Sequence, residues 1–156
     1  MKASGSHEEA SQAALKFLSY RARSEAEVKS HLLLRGYAAA DVETAVTQLR
    51  VQNFLDDETF AQNWALFRAD RGYGPKRIEH ELKLKGIVQP LIREAIRKTF
   101  NQEDEEQKAK LLLEKRFKAH QLSDSKVLRR AVAFLQRRGF SGRVVHRLLR
   151  NGVQEE

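Results

Sequence analysis

The sequence predicts an all-α protein of three tandem three-helix modules, stacked in an elongated, curved array. Three observations carry that prediction. Apolar residues recur at i, i+3, i+4 and i+7 with almost no strict alternation. The pattern repeats along the chain. Each copy also contains a glycine set as a helix stop.

Residues 1–9 come first and read as a flexible N-terminal segment, lacking the apolar stretch of a signal peptide. The first repeat occupies 10–55, the second 56–102 and the third, the most basic, 103–156. An offset of 50 places Phe17 on Phe67, Val28 on Ile78, Leu32 on Leu82, Gly36 on Gly86, Val42 on Ile92, Ala45 on Ala95 and Val46 on Ile96. A further offset of 53 places Trp64 on Phe117, Leu82 on Leu135, Gly86 on Gly139, Ile87 on Phe140, Ile92 on Val145 and Ile96 on Leu149. The third copy diverges most, with Ala131 where Ile78 stands. In the middle copy Phe60, Trp64 and Phe67 line the first helix, Ile78 and Leu82 the second, and Ile92, Ala95 and Ile96 the third, all at core spacing.

Helix ends are written in the turns. Gly36, Gly86 and Gly139 each follow Arg35, Lys85 or Arg138 and precede Tyr37, Ile87 or Phe140. Glycine enters the left-handed conformation cheaply, a cation suits the negative helix end, and the next apolar residue folds back on the last turn. Helix starts are marked by Ser24 with Glu27 in capping-box spacing and by Gly74 before Pro75. Asp56 and Asp57 begin the middle repeat's first helix, since a metal-binding role would need a second acidic or histidine cluster at suitable spacing. The polar, acidic run from Asn101 to Glu106 reads as a hinge between two apolar patterns. So small a bundle buries little surface alone, which is why the copies are expected to stack.

Several kinds of chemistry lack their residues. With no cysteine there is no disulfide framework, thiolate metal site or thiol nucleophile, which agrees with a reducing cytoplasm. The longest apolar runs, such as Leu32 to Leu34, fall far short of the roughly 20 residues of a membrane span. His7, His31, His80, His120 and His146 form no zinc pattern and read as exposed helix positions. Gly72, Tyr73, Gly74 and Pro75 resemble a glycine-rich loop, but they lack the lysine-hydroxyl pair of a phosphate loop and read as a helix-joining turn. The serines have no nucleophile-elbow context. Phe17, Phe60, Trp64, Phe67, Phe117, Phe134 and Phe140 take core-like positions, which argues against an aromatic platform for bases; Tyr20 and Tyr73 stay open.

The formal charge of +8 makes a polyanion the first partner to consider. Residues 1–55, 56–100 and 101–156 carry net charges of +1, +2 and +5. Within the last segment residues 107–150 hold 13 bases against Glu114 and Asp124 alone. The cations expected to meet a partner or DNA form three sets: Arg21 and Arg23; Arg68, Arg71, Lys76 and Arg77; and Arg129, Arg130, Arg137, Arg138, Arg143, Arg147 and Arg150. Arg143, Arg147 and Arg150 share one helical face, and the planar arginine fork suits phosphate or carboxylate. For any single residue a solvated face is the competing explanation.

From Ala10 to Asn151 the chain resembles the RecX family of regulators of the RecA recombinase. The resemblance rests on the run FLDDETFA from Phe54 to Ala61, on RGYGP from Arg71 to Pro75, on IEHEL from Ile78 to Leu82 and on Lys85 to Ile87, at their spacing. Ser24 to Gly36 and FLQRRGF from Phe134 to Phe140 add shorter matches. The resemblance implies a cytoplasmic monomer without catalytic residues or cofactor. Such a protein inserts into the groove of a RecA filament on DNA and damps its recombinase, ATPase and coprotease activity. It further implies single- or double-stranded DNA as a contact, through the filament or directly, and no membrane. A direct DNA-binding module is the competing reading, because helices joined by a short glycine turn look like helix-turn-helix units. A recognition helix with base-reading side chains at its start is not evident in the sequence.

Overall fold

A computed structural model describes residues 6–154, with the side chains of 102, 103 and 151–154 left aside. Its α-helices follow in order: α1 His7–Leu18, α2 Glu25–Leu34, α3 Ala39–Val51, α4 Asp57–Asp70, α5 Pro75–Leu84, α6 Gln89–Thr99, α7 Gln102–Arg116, α8 Ser125–Arg138 and α9 Gly142–Gln154. A 3₁₀ turn, Ala119–Ser123, lies between α7 and α8. Among the described residues no strand occurs.

The stops fall where the glycines predict them. Gly36, Gly86 and Gly139 have φ of +92°, +76° and +91°, and the next residue's N–H reaches back to the carbonyl of Leu32, Leu82 or Leu135 at 3.1–3.2 Å. That six-to-one bond is the Schellman closure. Gly72 repeats it after α4, with Tyr73 N–H on the Arg68 carbonyl at 3.1 Å, and Asn53 (φ +65°) does the same after α3.

The starts are partly corrected. Ser24 and Glu27 form the expected capping box. Asp56 caps α4, accepting from the Thr59 N–H at 3.2 Å and its hydroxyl at 2.8 Å. Asp57 opens α4 as expected, and its Oδ1 also accepts the Glu25 N–H at the start of α2 at 2.9 Å. The run read as a hinge is a helix start, because Asn101 accepts the Asp104 N–H at 2.8 Å and nucleates α7. Of the segment read as flexible, 7–9 belong to α1, which Ser6 caps, and 1–5 lie outside the described residues.

The described residues pack as two compact units: one runs to Ala61 and takes in Leu82–Leu91, the other holds Gln62–Glu81 and the described residues from Ile92. In the first, α1 packs on α3 and both on α2, around Ala10, Ala14, Val28, Leu32, Val42, Val46 and Leu49. In the second, α7, α8 and α9 enclose Ala109, Leu113, Ala131, Phe134, Leu135, Phe140, Val144 and Val145. Ile78, Leu82, Ile92 and Ala95 are buried as expected, but Phe67 is 47% exposed.

The pairing of Trp64 with Phe117 also gives way. Trp64 lies inside α4, whereas Phe117 follows α7 in extended conformation and leads into the 3₁₀ turn. Matching α7 to α4 takes a shift of 48, which sets Ala109 on Ala61, Leu113 on Ala65 and Arg116 on Arg68. Ala61, Ala65 and Ala109 are fully buried and Leu113 nearly so.

Candidate partner-binding surface

Two close approaches set the backbone beneath the cations. In the first unit the buried Ser24 hydroxyl donates to the Lys85 carbonyl at 2.6 Å, and a Cβ on Gly86 would meet the Ala26 Cβ. In the second unit the N–H groups of Gly74 and Lys76, at the start of α5, donate to the carbonyls of Arg138 and Gly139, at the end of α8, at 2.7 and 2.9 Å. Each joint answers free carbonyls at a helix C-terminus with free donors at a helix N-terminus, satisfying groups that have no partner within their own helices.

The first set of cations is engaged by Glu27, with Arg21 exposed and Arg23 half-buried. Glu27 lies 3.3 Å from Arg21, 3.7 Å from Arg23 and 3.9 Å from Lys85. Arg23 also lies 4.0 Å over the Phe17 ring, which stacks on His31 at 3.8 Å. His31 is therefore not the plain exposed position that the sequence predicts. Burial, then Arg35 and Arg23, lower its pKa from 6.5.

The second set converges on Glu81 and Tyr73. Arg68 donates through Nε and Nη2 to both Glu81 oxygens at 2.9 and 2.8 Å, the fork geometry that arginine supplies. Trp64 Nε1 donates to the same carboxylate at 3.3 Å and Arg77 lies 3.7 Å from it. Burial pulls the Arg68 guanidinium down, but its bond and attraction to Glu81 outweigh this and hold its pKa above the ordinary arginine value. Arg68, Arg138 and Arg77 lie 3.8, 4.7 and 5.3 Å over the Tyr73 ring. Arg138 thus joins the second set, and it also donates to the Arg71 carbonyl at 3.2 Å. Arg71 covers Phe67 at 4.4 Å, while the Lys76 side chain is exposed.

The remaining cations lie on α8 and α9. Arg129, Arg130 and Arg137 are exposed, and Arg130 and Arg137 flank the buried Phe134 on one face of α8. Arg143, Arg147 and Arg150 share the exposed side of α9, opposite Val144 and Val145. Arg147 reaches Glu106 at 3.4 Å. Among the described residues, Arg129, Arg130, Arg137, Arg143 and Arg150 meet no acidic group at salt-bridge distance. Arg116 was not among the sequence choices. It lies 4.7 Å over Phe134 and, with Arg130 and Arg137, rims a cleft of about 380 Å³ floored by Phe117, Val127 and Phe134. Its match to Arg68 is hidden in the sequence by the five residues that the 3₁₀ turn region adds between a shift of 48 at α7 and one of 53 at α8.

Among the described residues no group of three or more histidine or acidic side chains is placed to hold a metal ion. No helix there is long and apolar enough to cross a membrane.

Three family profiles match the chain in order: RecX first three-helix domain over 10–49, second over 56–96 and third over 103–149. A protein named Regulatory protein RecX from Vibrio campbellii is 34% identical over 130 residues, 83% of each chain. The chain belongs to the RecX family. A second Regulatory protein RecX, from Trichlorobacter lovleyi, is 30% identical over 139 residues, covering 87% of this chain and 90% of its own. The crystal structure of RecX from Lactobacillus salivarius matches in fold with a TM-score of 0.80, at 24% identity, over 96% of this chain and 95% of its own. The RecX domain limits agree with the helix triplets α1–α3, α4–α6 and α7–α9. All three belong to a family of regulatory proteins.

Proposed function

We propose that this chain regulates the RecA recombinase by binding its filament on DNA, docking in the filament groove and mainly inhibiting recombinase, ATPase and coprotease activity. The observation that carries the reading is membership of the RecX family with all three of its three-helix domains present. Binding alone shifts filament behaviour only if the assembled filament is bound more strongly than free RecA. Linked repeats favour this, since the first contact raises the effective concentration of the next. The protein acts as a monomer in the cytoplasm and works without catalysis.

The contact surface is assigned first to cations that no described acid engages: Arg71, Lys76, Arg129, Arg130, Arg137, Arg143 and Arg150. Arg21, Arg23, Arg68, Arg77, Arg138 and Arg147 contribute by their exposed edges while holding internal partners. The test is RecA ATP hydrolysis on single-stranded DNA with this protein added at stoichiometric ratio. Inhibition is expected, and an unchanged rate rejects the reading. Tight, sequence-selective binding to naked duplex across salt concentrations would replace it with a direct DNA-binding role.

A further inference from the structure

The middle and third repeats treat the same arginines differently. In the middle repeat Arg68, in the last turn of α4, and Arg77, on α5, share the carboxylate of Glu81. In the third repeat the matching positions are Arg116, ending α7, and Arg130 with Phe134 on α8. The two guanidinium groups are retained and their carboxylate is replaced by a phenyl ring. Arg137 adds a third cation at the place of Leu84. No acidic residue lines the resulting cleft.

We propose that this cleft receives a carboxylate side chain from an acidic segment of the protein partner, held by Arg116, Arg130 and Arg137 where Glu81 stands in the middle repeat. The sister site shows what such an arginine pair is spaced to take, because there one carboxylate satisfies it. The floor agrees: Phe117, Val127 and Phe134 offer apolar contact to the methylenes of a glutamate and to an apolar neighbour. A nucleic-acid strand is less well served. Phe134 is nearly buried, with Arg116 over its ring and Phe117 against it edge-on at 6.1 Å, so it offers no face for a base. This inference rests on the docking reading above for the partner's being a protein, and it adds what chemistry the partner presents.

The test is fluorescence anisotropy on the full chain with a labelled eight-residue peptide alternating glutamate and leucine. The glutamate peptide is expected to bind, with its glutamine counterpart weaker by at least about tenfold, the scale of a lost charge-assisted hydrogen bond. Arg130→Gln combined with Arg137→Gln should weaken the glutamate peptide by a similar factor, and Lys16→Gln should not. Both arginines are exposed, so folding is not at stake; Phe134→Glu, which restores the internal carboxylate, should close the site in a chain shown to stay helical. Absence of binding at about 1 mM peptide overturns the proposal, as does binding that ignores the two arginines. Displacement of the peptide by oligothymidylate of equal charge, bound more tightly through the same arginines, overturns it in favour of nucleic acid. No recombinase enters this titration. Loss of peptide binding with ATPase inhibition retained sinks only the cleft, while retained peptide binding without inhibition sinks the filament reading.

Discussion

The hydroxyl of Ser24, fully buried, donates to the carbonyl of Lys85 at 2.6 Å. The same oxygen accepts the Glu27 N–H at 3.2 Å, so one side chain caps the start of α2 and the end of α5 together. At the matching place after Asp70, Gly74 has no side chain, and its backbone N–H does the corresponding work on the Arg138 carbonyl. A small polar group at one joint and bare backbone at the next satisfy the same kind of orphan carbonyl.

Ser24→Ala removes the N-cap and strands the part-buried Lys85 carbonyl in one step. A lost cap costs about 1 kcal/mol and an unsatisfied buried group about 1–3 more. Chemical denaturation should show a loss of about 2–4 kcal/mol. A loss below about 0.5 kcal/mol would mean that water replaces the hydroxyl and the joint does not depend on it.

Gly139 and Gly142 make a matched pair of tests. A Cβ on Gly139 would lie 2.4 Å from the Arg77 backbone nitrogen, at a φ of +91°, whereas one on Gly142 meets nothing within 4 Å. Gly139→Ala should cost at least about 2 kcal/mol, from left-handed strain plus displacement of α5. Gly142→Ala, at the first position of α9, should stabilise by up to about 1 kcal/mol. Equal melting temperatures for the two variants would contradict the joint.

The glycine stops and the capping box were legible because their partners lie within five residues. Asp57 and Glu105 were not. Each lends a carboxylate to the start of a distant helix, Asp57 to Glu25 and Glu105 to the Ser141 N–H at 2.7 Å, and no local pattern announces a partner over thirty residues away. Asn101 to Glu106 misled for the opposite reason: polar and acidic residues mark a helix start as well as a break. In the charged surface the sequence located the basic stretch but not its division, since Glu81 quenches one arginine pair and Phe134 leaves the matching pair open. The missed Arg116 belongs to that division.

His31 gives the fold a pH dependence with a defined sign. Its folded pKa lies below 6.5, through burial first and then Arg35 and Arg23. The folded state therefore binds the proton less readily than the unfolded chain. This contribution is fully present above pH 6.5 and is lost as pH falls below it toward the folded pKa. Melting temperature measured downward from pH 7.5 should fall more steeply for the native chain than for His31→Phe, which keeps a ring against Phe17 and cannot take a proton. Parallel curves would remove His31 from the account.

Arg143 and Lys16 are both exposed cations on helices, and they separate a directed surface from mere positive charge. Arg143 shares its face of α9 with Arg147 and Arg150, while Lys16 sits in the last turn of α1, in the least basic segment of the chain. Arg147 is the poorer choice for reversal, since a glutamate there would oppose Glu106 and disturb packing of α7 on α9. If the α9 face meets the filament, Arg143→Glu exchanges attraction for repulsion at the contact, and the concentration for half-inhibition of RecA ATP hydrolysis should rise by about tenfold. Lys16→Glu removes the same net charge but acts only through the screened field, which decays over about 10 Å at 0.1 M salt. Its shift should be under about twofold at that salt and should vanish as salt is raised. Equal shifts for the two variants would leave net charge as the whole explanation and take the contact off α9.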